Sequence, residues 1–529
     1  MKFVIALFLG FIATTSFAFQ SIAVLPFANE SQNQQLYWLG EGFAESLSEE
    51  MLLNDAYVIQ RVERKNAYDD LRLPYIGGLS RATMLKIGQK LSADYIVFGS
   101  YNLHDTELSV EAHVIQLSSA KLSAPIQASG KLESLYEIQT SLQQKLLEYF
   151  QAKPVTVPES QTQAKGVPLY AYELYIKGML ESNDNERARF FQKALDANPG
   201  YDQASYRLGR ALAHLQKYKE STEALQKATF SGILQTKVDF QIGLNAFEQK
   251  DYDAAYQKWL DLSNKFATAE VYNNIGIALL KKGDLQNCGW YLSKAAELDP
   301  NNPDYRFNLA ASYVLRAYDK NAVMQYRESI RYRPSDYQAL YLLGKLLERM
   351  TDPSSKIILQ QFQDALPADQ KGKFPEQYST VSQLVRSAPE VLSKEEKQYM
   401  LIAAQKEMTA RMDYAKTYAA NARKDLEDQA PDKAFIELRK GVGLSPLDWY
   451  MHFLLGWAYN QQKNHDQAIA ELQFAVWCQD NFESHLLMAD IYRGVEKYAD
   501  AKAQVQRALA VEPGNKRAMD LWNKISDKN

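Results

Sequence analysis

The chain has 529 residues, 46% hydrophobic and 23% charged, so it is globular rather than disordered and long enough for several domains. Its 60 Lys and Arg nearly balance 64 Asp and Glu, and the net charge of −4 gives no electrostatic reason to expect nucleic acid or an anionic membrane surface as partner. The first residues, MKFVIALFLGFIATTSFAFQ, set one cation, Lys2, before an apolar run over residues 3–13, followed by small residues at Ser16 and Ala18. This is the layout of a secretory signal peptide, residues 1–18, cleaved after Ala18; an uncleaved anchor is the alternative. The run is shorter than the ~20 residues that span a bilayer, and no later segment is apolar enough to cross. No Cys follows it for lipid attachment. The mature product is therefore expected in the periplasm or otherwise exported, with no transmembrane helix.

The next elements, in chain order, are a strand at 21–27, an amphipathic helix at 36–53 and a strand at 57–62. Short helices are expected at 65–71 and 81–91, and strands at 93–103, 108–117 and 121–129. A helix at 132–150 closes the unit. This order predicts an α/β amino-terminal domain over 19–150, a mixed sheet covered by helices. Gly40 and Gly42 follow the first strand in a Gly-x-Gly, but Glu45 stands where a dinucleotide loop has its third Gly. A dozen mostly polar residues also separate Phe27 from Gly40. Glu63, at the end of the second strand, is placed where a ribose-binding acid could sit, yet "RVERKN" surrounds it with cations. The glycines are read as letting a helix start lie close to its sheet, and no cofactor is expected. The succession "SIAVLPFANES", "WLGEGFAESLSEEM", "VIQRVER", "IGQKLSADYIVFGSY" and "LSVEAHVIQLSSAKL" is similar to the TolB amino-terminal-like and FlgO/CsgG-like domains of bacterial envelope proteins. That resemblance implies a small module used in envelope assemblies, with no known catalytic residue.

Residues 151–168, "AKPVTVPESQTQAKGVP" with its preceding Gln, read as a Pro-, Thr- and Ser-rich mobile linker. Beyond it the chain repeats. Small residues recur at Gly209, Gly243, Gly276, Ala310 and Gly344, at steps of 34, 33, 34 and 34, and again at Ala422, Gly456 and Ala489. A second small residue follows each, as at Ala255, Cys288, Ala322, Ala434, Ala468 and Ala501, and Pro300, Pro334 and Pro513 stop helices. The stretches "VYNNIGIALLKKGDLQNCGWYLSKAAELDPNNPDY" and "HFLLGWAYNQQKNHDQAIAELQFAV" resemble the tetratricopeptide repeat, which implies pairs of antiparallel helices stacked into an all-α tetratricopeptide solenoid. Eight or nine units are expected: 169–366, then an irregular insertion or hinge at 367–397, then repeats over 398–529 ending in a capping helix. That last helix carries Ala518, Met519, Leu521, Trp522 and Ile525 at helical spacing.

No catalytic or metal-binding constellation can be nominated. Glu111 and His113 share a strand face and read as a surface pair, while His452 and His485 occupy one offset of neighbouring repeats and read as core. Cys288 and Cys478 lie several repeats apart, and a disulfide needs Cα atoms within about 7 Å, so two free, buried thiols are expected. In the tetratricopeptide family the first helix of each pair lines the concave face. The matching offsets give a candidate protein-binding groove of Tyr206, Arg210, Phe240, Phe247, Asn273, Phe307, Tyr341, Lys345, Arg423, Tyr450, Phe453 and Trp457. Tyr206 with Arg210, and Phe240 with Leu244, stand where the family's carboxylate-clamp subset has Lys and Asn, which disfavours capture of a terminal carboxylate. The aromatic content suits an extended or helical apolar peptide. The expected function is a non-catalytic exported scaffold that binds protein or peptide partners and associates peripherally with an envelope complex. The alternatives are a CsgG-like secretion-pore subunit, for which the module looks too short to spare membrane-spanning hairpins, and an unrecognised enzyme.

Overall fold

Strand β1, Gln20–Val24, has four successive buried residues, and Ile22, Ala23 and Val24 expose nothing. A strand buried on both faces belongs in the middle of a layered α/β sheet. A computed structural model describes residues 20–50, 56–150, 166–366 and 385–528. It falls into two compact units: Met1–Asn245 with Leu392–Ala403, and Ala246–Val391 with Ala404–Asn529. The signal-like leader and residues 151–165 of the linker lie outside the described residues, as do 367–384 of the insertion.

In the first unit β1 pairs in parallel with β3 (Ala56–Val58) on one side and β4 (Tyr95–His104) on the other, and the short β2 (Ala28–Asn29) also runs parallel to β4. β5 (Glu107–Gln116) returns antiparallel to β4 over its whole length and carries β6 (Lys121–Leu122) and β7 (Ile126–Lys131) on its other edge. The sheet is thus mixed, as the order of elements predicts. Helices α1 (Trp38–Glu50) and α4 (Leu135–Tyr149) share a core with Val24, Val97 and Val110. Helices α2 (Arg61–Asp70) and α3 (Arg81–Lys90) pack with Ala23, Leu25 and Ile96 in a second core. Gly40 makes the first of these contacts possible: a Cβ there would stand 2.3 Å from the Phe27 carbonyl oxygen. The Phe27 N–H donates to the Gly40 carbonyl at 3.1 Å.

The sequence pattern misplaces one boundary. Residues 57–62 alternate like a strand, but β3 stops at Val58 and α2 begins at Arg61. Glu63 turns back to accept the Gln60 N–H at 2.7 Å, capping the helix rather than a sugar. Arg64 then points inward and is fully buried: it donates to Ser48 Oγ (2.6 Å), the Ile59 carbonyl (3.3 Å) and Glu41 (3.2 Å) and lies 3.6 Å from Glu45.

Helix α1 is buried on every side from Trp38 to Ser48, so it needs a partner besides the sheet. That partner is α5 (Leu169–Leu180), the first helix of the repeats. The Tyr172 hydroxyl donates to the Gly42 carbonyl at 2.8 Å, its ring lies 6.1 Å from Trp38, and Tyr175, Phe191 and Leu208 join the core of Leu39 and Phe43. Arg207 reaches Glu45 at 3.1 Å. The hairpins α5/α6 (α6, Asp184–Ala197) and α7/α8 (Asp202–His214, Tyr218–Lys227) therefore continue the module's core. α9 (Gly232–Glu248) follows.

The second unit contains α10 (Tyr252–Ser263) and the hairpins α11/α12 (Ala269–Lys282, Leu285–Leu298), α13/α14 (Pro303–Leu315, Asp319–Tyr332) and α15/α16 (Tyr337–Arg349, Ser355–Ala365). After the insertion come α17/α18 (Lys394–Glu427, of which the residues up to Ala403 belong to the first unit, and Pro431–Leu444), α19/α20 (Trp449–Gln461, His465–Cys478), α21/α22 (Phe482–Gly494, Tyr498–Val511) and α23 (Lys516–Ile525). The 34-residue series of small residues marks helix crossings: a Cβ on Gly276 or Gly456 would stand 2.6 Å from the Cγ of Leu292 or Leu472 on the second helix. Pro353 falls in the turn before α16. Helix α17 starts inside the stretch read as irregular; Glu396 accepts from the Ser393 N–H (2.6 Å) while Ser393 Oγ accepts from the Glu396 N–H (3.1 Å), a reciprocal cap. In the terminal helix Ala518, Leu521 and Ile525 are buried, while Met519 faces out.

Candidate functional site

Helices α11, α13 and α15 are first helices of consecutive hairpins, and an extended segment at 385–391 lies against them. Asn308 on α13 holds both main-chain groups of Arg386: its Oδ1 accepts the Arg386 N–H at 2.9 Å and its Nδ2 donates to the Arg386 carbonyl at 2.7 Å. Asn274 on α11 does the same to Ala388, accepting its N–H at 2.8 Å and donating to its carbonyl at 3.1 Å. Asn273 adds a second donor to the Arg386 carbonyl at 3.0 Å and accepts from Asn308 Nδ2 at 2.8 Å. All three asparagines have no exposed surface. A side-chain amide carries the same donor and acceptor as a peptide group, so each asparagine imitates one residue of a neighbouring β-strand. Alternate residues of an extended chain face the same way about 6.6 Å apart, which is why 386 and 388 are held and 387 is not.

The Arg386 side chain is read as well. Its guanidinium forks onto Asp336 (2.5 and 2.8 Å), reaches Asp304 at 3.0 Å and Gln338 at 3.0 Å, and stacks 3.5 Å above the centre of the Phe307 ring. Asp336 also caps α15 by accepting the Ala339 N–H. Asp304 is gripped from its other side by Arg333 at 2.6 and 2.9 Å. Burial pushes the Asp304 carboxyl up, but Arg333 and Arg386 together outweigh it and hold it below the usual aspartate value. Ala388 and Val391 are buried, with 5% and 0% exposure, while Pro389 is exposed.

The residues expected to line the groove divide into three sets. Asn273 and Phe307 lie beneath the 385–391 segment. Phe240 and Phe247 are enclosed by helices, Phe247 with Tyr252 and Trp259 at 5.3 and 5.9 Å, because their offset turns toward the neighbouring helix. The rest keep accessible surface. Tyr206 meets Arg210 and Phe230, Tyr341 packs on Phe362, Lys345 pairs with Glu348, and Arg423 pairs with Glu427. Tyr450, Phe453 and Trp457 form a half-buried aromatic row along α19, with centroids 6.0 and 6.4 Å apart. Asn274, Asp304, Asn308, Asp336, Gln338 and Arg386 are missing from the sequence-derived groove. A signal existed: Asn274 and Asn308 are 34 residues apart, as are Asp304 and Gln338, so polar groups repeat at fixed offsets beside Gly276 and Ala310.

The other singled-out residues behave structurally. Buried His452 is engaged by Glu471 (2.6 Å) and the Pro446 carbonyl (3.1 Å), and buried His485 by Gln504 (2.7 Å) and Asp480 (2.8 Å). Glu111 and His113 bond each other at 3.0 Å. They border a cavity of about 270 Å³ at the end of β1, together with Leu25, Gly77 and Phe98. Cys288 and Cys478 are both free; Cys288 is buried as expected, whereas Cys478 is only half-buried, and desolvation pushes their thiols up to about 11 and about 12. Among the described residues no group of three His, Cys, Asp or Glu could hold a metal ion, and no helix is long and apolar enough to cross a membrane.

Residues 180–232 and 433–476 match one profile of the tetratricopeptide repeat, and 269–302 match another. The type IV pilus assembly protein PilF of Pseudomonas aeruginosa is 27% identical over 147 residues, 26% of this chain and 58% of that protein, so the chain spans little more than half of that relative. Among solved structures, YrrB, a repeat protein described as having an unusual peptide-binding site, is similar at 16% identity with a TM-score of 0.29, over 35% of this chain and 97% of that one. The carboxy-terminal part of a repeat protein from Cytophaga hutchinsonii is similar at 14% identity and a TM-score of 0.25, over 60% and 98%. The LpoB carboxy-terminal domain from Salmonella enterica is similar at 11% identity and a TM-score of 0.19, over 22% and 87%.

Proposed function

Because the chain contains tetratricopeptide repeats, we propose that it is a non-catalytic, exported adaptor that holds extended segments of partner proteins within a bacterial envelope assembly. The observation that carries this reading is the bidentate grip of Asn274 and Asn308 on main-chain groups two residues apart. Such a grip recognises a chain conformation rather than a reacting bond, so it suits binding. Export is inferred from the signal-like leader at 1–18, and the assembly context from the likeness to PilF. The module at 19–150 is read as a docking domain of the TolB amino-terminal-like, FlgO/CsgG-like kind, on the order of its sequence motifs. The accessible side chains Tyr206, Arg210, Tyr341, Lys345, Arg423, Tyr450, Phe453 and Trp457 are proposed as further contact surface.

The test is crosslinking in cells followed by identification of the attached proteins, with fractionation of the mature product. The reading expects envelope proteins to be captured by the intact chain and lost with Asn274→Ala/Asn308→Ala. Retention of every partner by that folded variant would refute the groove, and a cytosolic mature product would refute export.

A further inference from the structure

Residues 385–391 occupy the groove as a ligand would. We propose that the groove of α11, α13 and α15 is a receptor for extended segments bearing an Arg followed two residues later by a small residue, and that 385–391 is a resident pseudo-ligand which such a segment must displace. This rests on the peptide-holding function proposed above and assigns its ligand and its control.

Three observations carry it. First, the strand is held through its backbone. Five hydrogen bonds join Asn273, Asn274 and Asn308 to the main chain of Arg386 and Ala388, three donated by the asparagines and two accepted by them, and any extended chain presents the same groups in the same register. Second, the side-chain selectivity is specific and incomplete without a guest. With Arg386 gone, Asp304 and Asp336 would face Arg333 alone, 2.6 and 3.8 Å away, leaving an uncompensated negative charge beside an uncovered Phe307 ring. A guanidinium satisfies the fork and the ring face together, which an ammonium does less well. Ala388, 5% exposed, sets the requirement for a small residue two positions on. Third, the strand belongs to an unusually long connection. α16 and α17 are joined by 28 residues, 366–393, whereas α12–α13 and α14–α15 are each joined by four.

Tethering sets the strength of the competition. Because they belong to the same chain, residues 385–391 meet the groove at an effective concentration on the order of 1 mM. If the resident segment binds with an intrinsic dissociation constant of ~10 μM, any incoming peptide is then weakened about 100-fold. The resident strand thus keeps the groove closed to weak or scarce segments.

The test uses a fluorescent peptide of sequence QLVRSAPEV, residues 383–391, titrated into the full chain and into Arg386→Ala/Ala388→Pro. That variant disarms the strand and leaves the groove side chains unchanged. The expected result is binding about 100-fold tighter to the variant than to the natural chain. It should be abolished by adding Asn308→Ala and weakened at least tenfold when the peptide's Arg is replaced by Ala. Equal affinity for the two proteins would overturn the resident strand as a gate while leaving the peptide groove standing. No binding to a variant that keeps native hydrogen exchange in α11–α15 would overturn the groove itself. Should the variant lose that protection, exchange in the natural chain decides. Amides 386 and 388 opening well before α11–α15 support displacement, whereas opening only with them makes the strand fixed packing and overturns the proposal.

Discussion

Replacing Arg64 with Met should destabilise the first unit more than any surface change and give it a pH dependence of known sign. Arg64 exposes nothing and sits between Glu41 and Glu45, whose side chains expose 1% and 4%. Breaking a buried ion pair by removing one partner typically costs about 3–5 kcal/mol. The lower end applies here, because Glu41 keeps Arg61 at 3.0 Å and Glu45 keeps Arg207 at 3.1 Å, and Met fills most of the vacated volume. A loss of about 3 kcal/mol corresponds to roughly 100-fold faster opening. It is measurable as hydrogen exchange of the α1 and α2 amides across a urea series. Burial already pushes the Glu41 carboxyl above the usual value of 4.5, against the pull of Arg64 and Arg61. Without Arg64 it rises further, so the folded variant takes up a proton that the unfolded chain does not hold. Its stability should therefore increase as pH falls from 8 toward 5, shrinking the deficit. The double variant Glu41→Gln/Arg64→Met should recover part of the loss. A deficit under about 1 kcal/mol at pH 7, or one that grows on acidification, would refute the buried-network account.

Gly40→Ala should lower the melting temperature of the first unit, since its Cβ meets the Phe27 carbonyl at 2.3 Å, and overpacking costs about 1–3 kcal/mol. Gly443→Ala in α18 meets nothing within 4 Å and should stabilise by about 0.5–1 kcal/mol; calorimetry on both separates steric from propensity effects. The Arg386–Asp304 contact should hold the strand evenly from pH 8 to 5 and weaken as pH falls below the usual aspartate value of 3.8, because the docked carboxyl titrates lower still. Exchange at amides 386 and 388, corrected for intrinsic rates, reads this out, and weakening on alkalinisation toward pH 8 would contradict it. Cys288 and Cys478 should resist an aromatic disulfide reagent at pH 8 and react only on unfolding, as their thiols are pushed up to about 11 and about 12. Rapid labelling of the folded chain would show that burial does not protect them.

The repeats are legible in the primary structure because a helix crossing tolerates only a small residue. Gly276 and Gly456 each have a Leu Cγ 2.6 Å from where a Cβ would be, and that steric demand recurs every hairpin. The mixed sheet is legible for a similar reason, since a strand covered on both faces must be apolar throughout, as β1 is. Local capping should also have been readable. Gln60 with Glu63 and Ser393 with Glu396 are short-range pairs, hidden beneath the alternation of 57–62 and the prolines of 367–397.

What tertiary structure alone decided is which groups separated by long stretches of chain meet. Nothing local marks α1 as buried on both sides, so the packing of Tyr172 on Gly42, 130 residues away, is set by the fit of two finished elements. The groove shows the same division. Period and helix face bring out Asn273 and Phe307, but the strand that covers them lies 113 residues from Asn273 in a stretch with no periodicity. An extended segment bound through main-chain groups needs few particular side chains, and so it leaves almost no trace in sequence.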